Sequence, residues 1–121
     1  MIIPVLVERD IPEAIAFHTR VLDFELAFAA PPEAPFYAVL HRGSDELHLN
    51  LSPDGRRAGG ASFIVVCENV DALFASFVAR GLSVPKRANS PAHEGPIDQS
   101  WGTREFYVDD PSGNTVVFQQ R

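Results

Sequence analysis

At 121 residues, with 45% hydrophobic and 21% charged side chains, the chain has the size of one folded domain and too much apolar content for whole-chain disorder. Sixteen acidic residues against ten basic ones give a formal net charge of -6, which argues against the clustered Lys and Arg that a nucleic-acid partner requires. The single cysteine, Cys67, excludes an internal disulfide; without a signal-peptide pattern or a membrane-length apolar run, a cytoplasmic protein with no membrane partner is expected.

Ile2 to Val7 is a short apolar, β-branched run that predicts a buried strand. Asp10, Pro12 and Glu13 then form a helix start, with a capping side chain, a first-turn proline and a capping-box spacing. Ile11, Ala14, Ile15, His18, Val21 and Leu22 recur at helical intervals, so the first helix is expected to run to about Leu22. Phe24 to Ala29 and Phe36 to Arg42 predict strands separated by a Pro-rich stretch, and Glu46 to Leu51 alternates cleanly between Leu and polar residues. Ser62 to Cys67 predicts another strand, and Asn69 caps a second helix that ends at Gly81. Short strands follow at Leu82 to Lys86, Arg104 to Val108 and Thr115 to Gln119. A long loop covers Asn89 to Gly102, and the turn Asp109 to Asn114 closes the last hairpin.

The order strand, helix and three strands is thus written twice, over about residues 1–57 and 60–121. Val7-Glu8-Arg9-Asp10-Ile11 and Val66-Cys67-Glu68-Asn69-Val70 are corresponding strand exits into capped helices. The expected fold is one α+β domain of two βαβββ repeats, forming a curved mixed sheet with helices on one face and a concave cavity on the other.

AIAFHTRVLDFEL and FYVDDPSGNTVVF, with their spacing, resemble the two signatures of the vicinal oxygen chelate superfamily across essentially the whole chain. The resemblance implies a strand-swapped homodimer and, in the family's enzymes, a divalent metal held by His, Gln or Glu from four strands. The matching positions here are Ile3, Asn50 (His48 if the register slips by two), Ser62 and Val117. Ile and Val offer no donor atom, so neither the family metal nor another cofactor is expected, and the pattern is similar to the bleomycin-resistance branch. Asp23 stands where the signature has Gly, and a short polar side chain tolerates a left-handed backbone better than most.

With those ligands gone, Ile3, Val5, Ile64 and Val117 predict an apolar trough with Asn50, His48 and Ser62 as polar points, the composition of a small-molecule pocket. The family's drug binders stack aromatic side chains on flat heterocycles, and Trp101, Phe36 and Tyr37 are the matching candidates. Trp101 follows a loop long enough to be a lid; the alternative is that it covers the edge of the core. Arg104 is expected to face the trough and its neighbour Glu105 to face away. His18 is read as packing, the pair His93 and Glu94 as solvated with no nucleophile nearby, Cys67 as an inert thiol, and DDPSGN as a structural turn. These features predict a non-enzymatic protein that sequesters a planar aromatic or peptide antibiotic. The alternative is a metalloenzyme with a relocated site at His41, Glu46 and His48, or a metal-free lyase or isomerase.

Overall fold

The computed structural model describes residues 1–121, and its contacts divide into two units: Met1–Ala61 with Asp110–Asn114, and Ser62–Asp109 with Thr115–Arg121. In the first unit β1 (Val5–Glu8) leads into α1 (Ile11–Arg20), then β2 (Glu25–Ala30), β3 (Tyr37–Arg42) and β4 (Asp45–Leu51). In the second, β5 (Ser62–Val66) leads into α2 (Val70–Ala79), then β6 (Ile97–Asp98), β7 (Arg104–Asp109) and β8 (Thr115–Gln120), with a 3-10 turn at Pro91–His93. The duplication appears as identical topology in two four-stranded mixed sheets, ordered β1-β4-β3-β2 and β5-β8-β7-β6. In each, the first strand is parallel to the last and the other neighbours are antiparallel. No helix is long and apolar enough to cross a membrane.

Local chemistry sets the helix ends. The Asp10 carboxylate accepts from Glu13 N–H at 2.9 Å, and the Asn69 side chain accepts from Ala72 N–H at 3.0 Å, so each satisfies a first-turn amide. Gly81, at φ 107°, stops α2 by returning its N–H to the Val78 carbonyl, while Leu82 N–H reaches Phe77. Asp23 takes φ 62°, as its place in the signature suggests.

The helices settle which face of each sheet is core. Beneath α1 lie Leu6, Leu47, Leu49 and Leu40, all essentially inaccessible. Under α2, Phe77 meets the rings of Phe106 and Phe118 edge-on, and those two stack at 5.0 Å. One expected element is different: Leu82 to Lys86 is not a strand, and the place beside β7 is taken by Ile97–Asp98, inside the expected loop. Pro85 has no N–H to give a ladder, whereas Ile97 and Asp98 pair with Glu105 and Arg104.

Candidate functional site

Strand parity places the predicted residues. In the first unit the sheet face away from α1 carries Val5, His48, Asn50 and Tyr37, because Leu6, Leu47 and Leu49 occupy the alternate positions. Ile3 lies just before β1 and is half-buried; Phe36, just before β3, is exposed. The polar points on this face are connected. His48 Nε2 lies 2.6 Å from Glu46 Oε2, and since a carboxylate only accepts, Nε2 carries the proton there. In the neutral ring Nδ1 is then the acceptor for the Tyr37 hydroxyl, also at 2.6 Å. His41 Nε2 stands 3.5 Å from the other Glu46 oxygen, and the hydrogen bond from His48 holds the Glu46 carboxyl below its ordinary range.

In the second unit Ser62, Ile64 and Val117 lie on the face away from α2, with Ile64 paired to Val117. Arg104 does not join them. It shares the parity of Phe106, so it turns to the helix side, where its guanidinium bonds Asp71 of α2, and it also reaches Asp98. Glu105 takes the open-face position expected of Arg104 and is 2% exposed. Its carboxylate accepts from Gln119 Nε2, from Thr103 Oγ1 at 2.9 Å and from the Tyr107 hydroxyl at 3.3 Å. Burial pushes this carboxyl up, but those donors, with the Trp101 indole, outweigh it and leave it below the usual range. Phe106 is a recognisable core residue, so its parity with Arg104 was the signal that could have found Glu105.

Trp101 sits at the tip of the β6–β7 hairpin, closed by Gln99 N–H to Thr103 O at 2.7 Å and Gly102 N–H to Gln99 O at 3.1 Å. The residue is 62% exposed, so most of it faces solvent rather than the core.

His93, read as solvated, is 11% exposed in its side chain. Its Nε2 lies 2.8 Å from Asp109 Oδ1 and its Nδ1 lies 2.6 Å from Ser90 Oγ, a hydroxyl–imidazole–carboxylate chain. A pocket of about 320 Å³ beside it is lined by His93, Tyr107, Asp109, Arg87 and the Leu82–Pro85 segment. Ser90 does not line that pocket, so a molecule held there meets the ring and carboxylate rather than the hydroxyl.

The largest departure concerns His18, which is not packing alone. It is fully buried beneath α1, with Nε2 3.5 Å from Asp110 Oδ2 and 3.8 Å from Glu8 Oε1, both carboxylates equally inaccessible. Burial pushes the imidazole down, yet the Asp110 and Glu8 carboxylates outweigh it and leave His18 raised. Burial likewise pushes the Asp110 carboxyl up, but His18 and Glu8, with the Asn114 amide groups, hold it well below the carboxylate range. Glu8 is raised, mainly by burial.

A family model described as the Glyoxalase/Bleomycin resistance protein/Dioxygenase superfamily matches residues 4–118. No curated protein sequence matches the chain. Among solved structures, the bleomycin-binding protein of bleomycin-producing Streptomyces verticillus, complexed with copper(II)-bleomycin, is 30% identical, with a TM-score of 0.74 over 97% of this chain and 92% of that one. A bleomycin-binding protein complexed with bleomycin is 21% identical, with a TM-score of 0.80 over 100% and 98% of the two chains. A lactoylglutathione lyase from Agrobacterium tumefaciens is also 21% identical, with a TM-score of 0.73 over 99% and 92%.

Proposed function

The chain belongs to the glyoxalase/bleomycin resistance protein/dioxygenase superfamily, and we propose that within it the protein binds and sequesters a natural-product antibiotic bearing planar aromatic groups. The observation that carries this reading is Trp101, a large aromatic held 62% exposed on a closed hairpin rather than spent on the core. An exposed indole beside a carboxylate offers a flat surface for stacking with an acceptor close by. The sheet faces support it: the positions matching the family's metal ligands are Ile3, Asn50 (His48 if the register slips by two), Ser62 and Val117, and Val5 and Ile64 add exposed apolar surface. The 30%-identical bleomycin-binding protein supports a small-molecule antibiotic as the partner. A homodimer is part of the same reading, and exposed Phe28 and Phe36 in the first unit are apolar surface for a second copy to cover.

Trp101 is the only tryptophan, so its emission reports the site directly. Titration with bleomycin and with quinoline- or quinoxaline-bearing peptide antibiotics is expected to quench it and to raise the melting temperature. Trp101→Leu, followed calorimetrically, is expected to weaken binding by about three- to tenfold. Absence of both responses across the panel overturns the reading. A second reading, metal-assisted chemistry at His41, Glu46 and His48, rests on Glu46 already spanning both imidazoles. Turnover of a glyoxalase or catechol dioxygenase substrate, lost in Glu46→Gln, would favour it.

A further inference from the structure

The buried polar atoms without partners concentrate in one place. Glu8 Oε1 and both ring nitrogens of His18 make no hydrogen bond, although each is shut away from water. Leaving such atoms unsatisfied costs the fold unless something compensates them. Their separations of 3.5 Å and 3.8 Å are too long for good hydrogen bonds. They suit ligands that share an ion: two donors at about 2.1 Å from a tetrahedral centre stand about 3.4 Å apart. Glu8, His18 and Asp110 each offer one such atom, all within 4.8 Å of one another.

We propose that Glu8 Oε1, His18 Nε2 and Asp110 Oδ2 bind one divalent first-row transition-metal ion beneath α1. An imidazole with two carboxylates is a ligand set for zinc, manganese or iron(II) rather than for a thiolate-seeking ion. Two carboxylates and an imidazole, all shut away from water, form a donor set whose charge a dication at its centre would balance. The carboxylates are held from behind, as ligands are: Asn114 Nδ2 lies 3.2 Å from Asp110 Oδ2 and 3.5 Å from Glu8 Oε2, and Asp110 Oδ1 accepts from the Ser112 and Asn114 amides.

All three side chains are closed to solvent, so the ion has a structural role, joining the end of β1, the last turn of α1 and the 110–114 turn. The site lies on the helix side of the sheet and is independent of the ligand reading above. It also means that metal found in the protein would not by itself make it an enzyme.

The test uses the full chain stripped with a chelator. Cobalt(II) is expected to give visible ligand-field absorption saturating at one equivalent, and zinc at about a hundredfold over its Kd is expected to raise the melting temperature by about 10 °C. Glu8→Gln and Asp110→Asn are expected to abolish both responses, whereas Glu46→Gln keeps them. No response of the wild-type chain to zinc, cobalt or manganese overturns the proposal, whether or not the variants fold, and leaves the cluster a proton-bridged ion pair. Loss of the signal in Glu46→Gln instead of Glu8→Gln overturns it too, moving the ion to the exposed histidines.

Discussion

The Arg104 guanidinium closes on the Asp71 carboxylate through two parallel bonds, Nε to Oδ2 at 3.0 Å and Nη2 to Oδ1 at 2.9 Å. This fork ties β7 to the first turn of α2 and holds Asp71 below its ordinary range. Arg104 is therefore spent on the helix side and contributes nothing to the open face. Arg104→Gln is expected to leave antibiotic affinity within twofold of wild type while lowering the melting temperature slightly, checked by calorimetry and thermal unfolding. A loss of affinity comparable to that of Trp101→Leu would return Arg104 to the site.

Glu105 has the opposite character: a carboxylate on the open face, 2% exposed, kept ionised by surrounding donors. Its folded-state pKa lies below the ordinary value of 4.5, so its contribution to stability is present above that value and is lost as pH falls through the folded value. Glu105→Gln is expected to cost about 1–3 kcal/mol near neutrality and to flatten the acid limb of the stability profile below about pH 4.5. Urea melts at a series of pH values check both effects.

These two residues show what was legible in the chain. Alternation says that Arg104 and Glu105 point in opposite directions, and the packing of Phe106 under Phe77 puts Arg104 on the helix side, as the parity of Phe106 already suggested. The caps at Asp10 and Asn69 and the stop at Gly81 were readable because each acts within a few residues. β6 was not, since a two-residue strand has no period and is defined by its pairing to β7. Trp101 could be named from the sequence, but its placement on a hairpin tip depends on that same pairing. The Glu8, His18 and Asp110 cluster lay beyond local reading, because its members meet only when the 110–114 turn joins the first unit. A trace existed: Glu8 shares the face of Leu6, and His18 lies on the apolar stripe of α1.

Two adjacent glycines separate backbone conformation from steric closeness. Gly59 and Gly60 have φ values of 84° and 80°, so alanine at either pays the left-handed cost of about 1 kcal/mol. A Cβ at Gly59 would lie 2.1 Å from the Ser112 carbonyl oxygen, whereas one at Gly60 meets nothing within 4 Å. Gly59→Ala is therefore expected to destabilise by about 2 kcal/mol or more beyond Gly60→Ala, in denaturant melts of the two variants. Equal costs would show that the approach of residue 59 to the 110–114 turn relaxes freely.

The chain Tyr37–His48–Glu46 makes its own prediction, because its links differ in charge. Glu46 sits low chiefly through its hydrogen bond from His48, a contact that disappears with the imidazole but not with the phenol on its far side. His48→Asn is expected to move the Glu46 carboxyl up toward its ordinary value of 4.5, followed by carbon-13 NMR of the side-chain carboxyl, while Tyr37→Phe leaves it nearly unchanged. Tyr37→Phe acts instead on the ring, freeing Nδ1 of its donor and broadening the orientations of an imidazole that faces the proposed antibiotic. If Tyr37 also supplies aromatic contact, the phenylalanine variant keeps its affinity, because only the hydroxyl is removed. A fall of tenfold or more would instead assign the phenol a direct hydrogen bond to the ligand, since a lone stacking ring is indifferent to it.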